Sequence, residues 1–361
     1  MKLSPLNRLE MVREFRHRYP TGHVIRLLFA GCSIEVRCNA AKLIADLEQY
    51  FRPFVVRDEE KAMIRITVHE APEPHFRETF VIKEPDPGKT RIKEEYLDLA
   101  DGRVVRKRLT GMVFLFGGED HLAVGPCCAN PNQIVNFINS RFIAWKLHQG
   151  YLLGHAAGVT VAGQGLAFAG FSGMGKSTLA LHLMSSGAHF VSNDRLLVKK
   201  ETDQTTMFGV AKLPRINPGT ALHNEDLQRV IPLHERRRFA ALPVEELWEL
   251  EHKYDVFISE AFGADRFALS APMRGLVILN WRRNKGKAVV QRVDLAARQD
   301  LLPAFMKSTG LFFLPEEAEG VLDHSPANYL AMLSDITVLE ISGGVDFAAA
   351  TGACLEFFGQ Q

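Results

Sequence analysis

The residues best suited to chemistry lie between positions 170 and 178, which read Gly-Phe-Ser-Gly-Met-Gly-Lys-Ser-Thr. This run fits the phosphate-binding pattern G-x-x-x-x-G-K-[ST] at every specified position. Glycines in such a loop let the backbone approach a phosphate and aim several N–H groups at its oxygens. A lysine adds a positive charge near the outer phosphates, and the hydroxyl that follows it is placed to ligate Mg²⁺. The sequence therefore predicts a loop that binds a nucleotide.

We expect ATP as the nucleotide and Mg²⁺ as its metal ion. In this interpretation Lys176 contacts the phosphate that is transferred, and the Ser177 hydroxyl is one ligand of the metal. The residues predicted to contact ATP are Gly170, Ser172, Gly173, Met174, Gly175, Lys176, Ser177 and Thr178. The alternative is a glycine-rich turn that matches the pattern by chance.

The sequence on either side of the loop favours the phosphate-binding interpretation. Residues 166 to 169 form a short apolar run that predicts a buried strand. After the loop, apolar residues from Leu179 to Met184 recur at helical spacing until Gly187 supplies a stop. A strand before the loop and a helix after it place the loop at a helix N-terminus, where the helix dipole also favours anions.

A carboxylate follows the next predicted strand. Residues 188 to 191 run into Ser192-Asn193-Asp194-Arg195, and Asp194 comes only eighteen residues after Lys176. The loop, one helix and this carboxylate therefore form a β-α-β unit, whose two strands can lie side by side and end at the same edge of the sheet. We predict that Ser177 and Asp194 together hold Mg²⁺. The alternative is a helix or turn cap, a common role for Asn and Asp.

At this point the chain resembles the HPr kinase/phosphorylase family. The loop from Gly170 to Ser177 matches the family's loop, and Asn193-Asp194-Arg195 falls on its Asp-Asp-Arg. His155 lies fifteen residues before Gly170, which is the spacing of the family's catalytic histidine. The run 273 to 278, Met-Arg-Gly-Leu-Val-Ile, is a weaker match to its Arg-Gly-Leu-Gly-Ile strand. The runs 213 to 220 and 338 to 344 make the chain most similar to the divergent HprK-related kinase B group.

The resemblance implies a kinase that moves the γ-phosphoryl group of ATP onto a hydroxyl, either of a protein serine or of a small molecule. It also implies a P-loop kinase core of the HPr kinase/PEP carboxykinase-like type. The residues that it marks as catalytic are His155, Lys176, Asn193 and Asp194, and those that it marks for substrate are Arg195, Arg215 and Arg274. Reversal by phosphate attack, with release of pyrophosphate, rests on the resemblance alone.

One position departs from the family. Asn193 stands where the family has the Asp that takes a proton from the acceptor, and an amide cannot act as a base. Asp194 could both hold the metal ion and take the proton. Alternatively, His155 or a group of the substrate could take the proton. His155 could instead be a structural histidine bonded to nearby backbone. Because the base is in doubt, a second function stays open, that of a nucleotide-binding regulatory module with little or no turnover.

Composition is that of an ordinary globular enzyme. The chain has 361 residues, 47% hydrophobic and 24% charged, with a net charge of +1, so bulk electrostatics call for neither nucleic acid nor an anionic membrane. Five cysteines without a paired C-x-x-C spacing predict neither a disulfide framework nor a zinc site. No secretion signal or long apolar segment is present, so we expect a cytoplasmic protein. Homo-oligomer formation and the identity of the acceptor are not determined by the sequence.

The length predicts two domains in an α/β fold. We expect a smaller α+β domain over residues 1–129 and the kinase domain over residues 130–361. A long helix predicted over 130–149, with Pro131 in its first turn and Gly150 at its end, could belong to either. In the first domain, Asp101-Gly102 between two apolar runs predicts a β-hairpin.

Overall fold

The computed structural model describes residues 7–57, 61–85, 90–315 and 323–359. The chain divides into two compact units. The first comprises the described residues of Met1–His148 and Thr309–Val321, and the second those of Gln149–Ser308 and Leu322–Gln361. Both units combine helices with β-sheet, so the predicted mixed α/β class is confirmed.

The first unit contains one large sheet and three helices. Its elements are α1 Arg8–Arg18, β1 His23–Phe29, β2 Cys32–Cys38, α2 Ala41–Tyr50, a 3₁₀ turn Arg52–Phe54, β3 Ile64–Glu70, β4 Val81–Ile82, β5 Glu94–Leu99, β6 Gly102–Lys107, β7 Met112–Phe116, β8 Asp120–Gly125 and α3 Pro131–Leu147. The strand order is β1-β2-β3-β8-β7-β6-β5-β4. Strands β2, β3 and β8 are parallel neighbours, and the remaining pairs are antiparallel.

The predicted hairpin and the predicted long helix are both present in this unit. Strands β5 and β6 pair with Leu99 opposite Gly102, so the chain reverses at Asp101 as its Asp-Gly dipeptide indicates. Helix α3 lies within the first unit, one of the two placements that the sequence left open. A segment from far along the chain completes this unit, because the Phe312 ring packs against the rings of Phe114 and Phe137.

The second unit contains the loop of interest. Its elements are β9 Leu152–Gly154, β10 Ala156–Val161, β11 Gln164–Ala169, α4 Lys176–Ser185, β12 His189–Ser192, β13 Leu196–Lys200, β14 Thr205–Phe208, β15 Arg215–Ile216, α5 Pro218–Leu222, α6 Leu233–Ala240, α7 Val244–Glu249, β16 Tyr254–Asp255, α8 Ile258–Phe262, β17 Ser270–Leu279, β18 Ala288–Val293, α9 Pro326–Met332, β19 Thr337–Gly343 and α10 Phe347–Gly359, with 3₁₀ turns Glu225–Val230 and Gln299–Ala304. Strand β11 and helix α4 confirm the strand and helix predicted around the loop.

The main sheet of this unit has the order β12-β10-β11-β17-β14-β13-β9, and β19 pairs with both β17 and β18. The second predicted strand, β12, does not lie beside β11. Strand β10 lies between them and is antiparallel to both, so β11 and β12 run in the same direction two positions apart. The expected common edge therefore remains although the strands are not neighbours.

The strand register brings distant residues to one edge of this sheet. Ala156, the first residue of β10, pairs with Ala169, the last residue of β11. His155 precedes the first of these and Gly170 follows the second, so both lie at the same edge. Ser192, the last residue of β12, pairs with Gly158 in β10, so the chain leaves β12 toward this edge at Asn193.

Apolar side chains cover both faces of the sheet. One cluster includes Leu196, Met207, Leu276 and Phe305, and a second includes Phe168, Leu179 and Trp281. A third cluster joins helix α4 to the helical segment around Leu227 and Phe239. These clusters fix the strand that precedes the loop and the helix that follows it. No helix in the described parts of the chain is long and apolar enough to cross a membrane.

Candidate functional site at the carboxyl edge of the second sheet

The loop between β11 and α4 closes around the ammonium group of Lys176. Lys176 Nζ donates to the carbonyl oxygen of Gly170 at 2.7 Å and lies 3.3 Å from that of Phe171. Helix α4 begins after Gly175, and no side chain caps it. Because the first N–H groups of a helix have no intrahelical acceptor, they are available to an anion at this position. The loop therefore presents a buried cation and a helix N-terminus in the same place.

Two aromatic side chains, Phe347 and Trp281, pack against the loop. Gly175 adopts a left-handed conformation with φ of 87°, and a Cβ atom there would lie 2.6 Å from the Phe347 ring. The Phe347 ring contacts the indole of Trp281, and Trp281 Nε1 donates to the Met174 carbonyl oxygen at 2.9 Å. Glycine is required at position 175 by both its backbone angle and this close approach.

The other predicted loop residues have distinct surroundings. Ser172 and Gly173 are exposed, and the Thr178 hydroxyl lies 3.0 Å from that of Thr220. The half-buried Ser177 hydroxyl makes no hydrogen bond with any residue that the structure describes. It therefore keeps its lone pairs for a ligand.

Asp194 lies at the same edge and contacts two basic side chains. Asp194 Oδ1 is 3.0 Å from His155 Nε2, and Asp194 Oδ2 is 3.9 Å from Lys307 Nζ. About half of the Asp194 side chain (46%) remains exposed. The structure thus brings together His155 and Asp194, as the resemblance implied, and adds a lysine that sequence reasoning missed.

Backbone pairing places Lys307 beside Asp194. Residues 305 to 307 run antiparallel to the end of β9, with Gly154 opposite Met306. His155 N–H donates to the Phe305 carbonyl oxygen, and Lys307 N–H donates to the Leu153 carbonyl oxygen. The buried Tyr329 hydroxyl donates to the same Leu153 carbonyl at 2.6 Å. No motif surrounds Lys307 in the sequence, so only this non-local pairing reveals it.

The charges at this edge keep Asp194 ionised. Burial alone would raise the pKa of Asp194, but the hydrogen bond from His155 and the charges of Lys307, His155 and Arg195 outweigh it and hold the pKa well below its ordinary value. Burial lowers the pKa of Lys176, an effect that Asp194 opposes and Lys307 reinforces. An ionised carboxylate facing an excess of cations is suited to a ligand that carries both negative charge and a metal ion.

Asn193 has an unsatisfied acceptor. Its Oδ1 atom is buried and has no hydrogen-bond partner among the described residues. Leaving such an atom unpaired costs about 1–3 kcal/mol, so buried orphan acceptors are uncommon without a reason. A hydroxyl or a metal-bound water of a ligand would supply the missing donor.

The residues present fit Mg²⁺ in the way that nucleotide enzymes hold it. No group of three His, Cys, Asp or Glu side chains in the described ranges is arranged to bind a metal by itself. Mg²⁺ at a nucleotide site needs fewer protein ligands, because phosphates and waters fill most of its positions. Asp194 and Ser177 offer one carboxylate and one hydroxyl at the same edge, which meets that smaller requirement.

The three arginines predicted to contact substrate fall in different places. Arg195 follows Asp194 directly, and Arg215 Nε lies 3.3 Å from Asp255 Oδ1 where β15 pairs with β16. Arg274 is different, because its neighbours Met273 and Gly275 pair with Gly165 and Leu166 at the start of β11. Arg274 Nε donates to Gln164 there. Arg274 therefore lies at the opposite end of β11 from the loop, and we leave it out of the candidate site.

No protein-family model matches the chain, and no curated protein matches it. Among solved structures, the chain is similar to the Hpr(Ser) kinase/phosphatase from Coxiella burnetii, with 12% sequence identity and a TM-score of 0.30. That match covers 58% of this chain and 93% of the other. A likeness at this TM-score carries no weight for function, so a functional assignment must rest on the residues of this chain.

Proposed function

We propose that this protein is a Mg²⁺-dependent kinase that transfers the γ-phosphoryl group of ATP to a hydroxyl of a protein serine or of a small molecule. The observation that carries the proposal is the convergence of Lys176, held inside its loop, with Asp194, His155 and Lys307 at one edge of the sheet. Phosphoryl transfer depends mainly on positioning and charge neutralisation, and this edge supplies both.

Each side chain has a role in the proposed reaction. The loop backbone and Lys176 bind the β- and γ-phosphates, and Ser177 and Asp194 hold the metal ion. Mg²⁺, when bound, neutralises charge on the phosphates as the leaving group departs. Lys307 adds positive charge beside Asp194. We expect it to stabilise the transferring group, as cations do in other phosphoryl-transfer sites.

The acceptor hydroxyl must lose a proton as its oxygen bonds to phosphorus and the bond from phosphorus to ADP breaks. Asn193 cannot take that proton, but its buried Oδ1 can accept a hydrogen bond from the hydroxyl and orient it. We propose that His155 takes the proton, because Asp194 holds its ring at 3.0 Å and is itself a metal ligand. ADP and a phosphorylated acceptor are the products.

A regulatory module that binds ATP without turnover is the second candidate. The observation that favours it is Asn193, which leaves the acceptor without the carboxylate base that the family uses. In that case ATP occupancy, without phosphoryl transfer, would be the output.

Two measurements with the full chain test these functions in order. Calorimetry measures whether ATP binds, with and without Mg²⁺. Labelled ATP is then incubated with the protein and host lysate, and mass spectrometry locates the label. Binding with label on a serine or on a small molecule supports the kinase. Binding without transfer or hydrolysis favours the regulatory module, and failure to bind any nucleotide overturns both functions.

A further inference from the structure

A second group of cations, distinct from the loop lysine, lies near Asp194. Its members are Arg195, Lys212 and Arg215, and we call it the acceptor cluster. Lys212 is half-buried, and neither Lys212 nor Arg195 makes a hydrogen bond or an ion pair with any described residue through its side chain. Positive side chains that are partly buried usually have a partner, so two without one indicate that a partner is missing.

Backbone contacts bring Lys212 to this position. The Gly209 backbone lies against the Val191 carbonyl oxygen so closely that a Cβ atom would collide with it. Val210 N–H donates to Ser192 Oγ, and that hydroxyl donates in turn to the Arg195 carbonyl oxygen. The chain before Lys212 is therefore fastened to the chain around Asp194. Further on, Val256 N–H donates to the Pro214 carbonyl oxygen, which fixes the strand that carries Arg215.

Different charged neighbours shift the pKa of Lys212 and the pKa of the loop lysine, Lys176. Burial lowers the pKa of Lys212, and the charges of Arg195 and Arg215 lower it further, against the opposing effect of Asp194 and Asp255. Lys176 is influenced by Asp194 and Lys307 instead. Asp194 thus influences the pKa of both Lys176 and Lys212. Arg215 already pairs with the exposed Asp255, whereas Arg195 and Lys212 have no ion pair with a described residue.

An imbalance of charge remains after the nucleotide is accounted for. The edge carries more cations than carboxylates, the cations being Lys176, Lys307, Arg195, Lys212 and Arg215 and the carboxylates being Asp194 and Asp255. The phosphates of ATP would neutralise Lys176 and Lys307, and Mg²⁺ would neutralise Asp194. Among the described residues, only Asp255 forms an ion pair with a member of the acceptor cluster, so the cluster would keep an excess of positive charge.

We infer that Arg195, Lys212 and Arg215 bind a negatively charged group of the acceptor, a carboxylate or a phosphate, that lies close to the hydroxyl to be phosphorylated. This inference rests on the proposed kinase function for its biological meaning, but the anion site itself does not require turnover. Charge-assisted hydrogen bonds from Lys and Arg are the usual means of recognising such groups. Two sources share this chemistry: a small metabolite with an acidic group, and a serine within an acidic peptide.

The test uses the full chain and inorganic phosphate as the probe. Calorimetry measures phosphate binding with the loop saturated by Mg²⁺ and a non-hydrolysable ATP analogue. We expect wild type to bind phosphate and Lys212→Met to bind it about 10- to 100-fold more weakly, as expected for loss of a charged hydrogen bond. Arg215→Gln alters an exposed side chain without risk to folding, and it should weaken phosphate binding about tenfold. Lys287→Met, another lysine of the second unit, is the matched control and should bind phosphate like wild type.

The acceptor cluster can also be tested without the nucleotide. In a Lys176→Ala background the loop site is weakened, and phosphate should still bind in a manner that Lys212→Met removes. Equal phosphate affinity with and without Lys212→Met, or no binding by wild type at millimolar phosphate, overturns the inference. Failure of the ATP analogue to bind, with phosphate binding still dependent on Lys212, would instead overturn only the kinase function.

The two acceptor sources give different results in a second titration. A synthetic serine peptide flanked by glutamates is compared with the same peptide flanked by lysines, and with glycerate, which carries a carboxylate beside its hydroxyls. Binding of the acidic peptide that depends on Lys212 identifies a protein acceptor. Binding of glycerate alone, dependent on Lys212, identifies a small acidic metabolite. If the lysine-flanked peptide binds as tightly as the acidic one, recognition by charge is contradicted.

Discussion

Each unit has a sheet edge where strands of the same direction end near the N-terminus of a helix, but we propose a ligand only at the edge of the second unit. In the first unit, strands β2, β3 and β8 are parallel, and helices α2 and α3 begin just after β2 and β8 without side-chain caps. In the second, β11 and β12 end beside the N-terminus of α4. Carboxyl edges of parallel strands are common places for ligands, so both edges qualify by topology.

The edge of the first unit is closed by its own side chains. Asn39 and the Glu70 backbone exchange two hydrogen bonds, and the Cys128 N–H donates to Glu70 Oε2 at 2.6 Å. Cys127 donates through its thiol to the His69 carbonyl oxygen. At the other edge, Asn193 Oδ1, Ser177 and Lys212 have no such partner among the described residues. Buried unpaired polar atoms occur at both edges, because His69 Nδ1 and Nε2 near the end of β3 also have no partner among the described residues. The second edge differs because it combines unpaired groups with an ionised carboxylate and several cations, which suits a ligand that carries phosphate and a metal ion.

The largest effect is expected for Lys176→Ala, which removes the cation inside the loop and keeps its glycines. ATP affinity should fall, and phosphoryl transfer should fall on the order of 10³-fold, since we propose that Lys176 is the charge nearest the transferred group. Calorimetry and label transfer measure the two. The control is Lys42→Ala in the first unit, which breaks only an exposed ion pair with Asp46 and should leave both values unchanged. Normal binding and turnover in Lys176→Ala would show that the loop is not the site.

The next largest effect is expected for a carboxylate of the second unit, Asp194, and a carboxylate at the edge of the first unit, Glu70, provides the comparison. Asp194→Asn keeps the shape of the side chain but removes a hard-cation ligand, so Mg²⁺-dependent turnover should fall about 10²-fold while some metal-free nucleotide binding remains. Glu70→Gln is the matched control, because Glu70 accepts a backbone N–H and is assigned no ligand. It should leave turnover unchanged. A similar loss of turnover in both variants would mean that the two edges are not functionally different.

A smaller effect is expected at Asn193, where the sequence departs from the family that it resembles. Asn193→Asp introduces a carboxylate where we propose that the acceptor hydroxyl binds, and transfer should rise about 10-fold, below the usual 10²–10⁴ for a general base because of repulsion from Asp194. The gain should appear only with Mg²⁺ bound. In single-turnover assays, His155→Gln should harm wild type more than it harms Asn193→Asp. Equal losses in both backgrounds would show that His155 is structural or acts elsewhere.

The smallest effect concerns the closed edge of the first unit. Burial, the Glu70 side chain and its charge raise the pKa of the Cys128 thiol to about 11. Little thiolate is therefore present at pH 8, and native Cys128 should react with iodoacetamide roughly tenfold more slowly than a free thiol, with a rate that rises as the pH approaches 11. Mass spectrometry of the alkylated peptide measures this rate. Alkylation as fast as that of a free thiol would show that this edge is open to ligands.

Local sequence patterns predicted local structure well. The Asp-Gly dipeptide predicted the β5–β6 hairpin, and the apolar runs around the loop predicted β11 and α4. The strand–helix–strand pattern around the loop also predicted that Asp194 and the loop would share an edge, because parallel strands joined by one helix end at the same edge of a sheet. The insertion of β10 between β11 and β12 was not predicted, because apolar runs do not specify which strands pair.

By itself, the sequence determined the loop, its flanking elements and the carboxylate that comes after them, since each depends on residues close together in the chain. The tertiary structure alone decided that Lys307 joins Asp194, that the chain before Lys212 is hydrogen-bonded to the turn around Asp194, that Arg274 lies at the far end of β11, and that Phe312 packs within the first unit. These placements result from strand register and backbone contacts between distant segments. A one-residue change in register would redirect every side chain, and no short-range spacing records that choice.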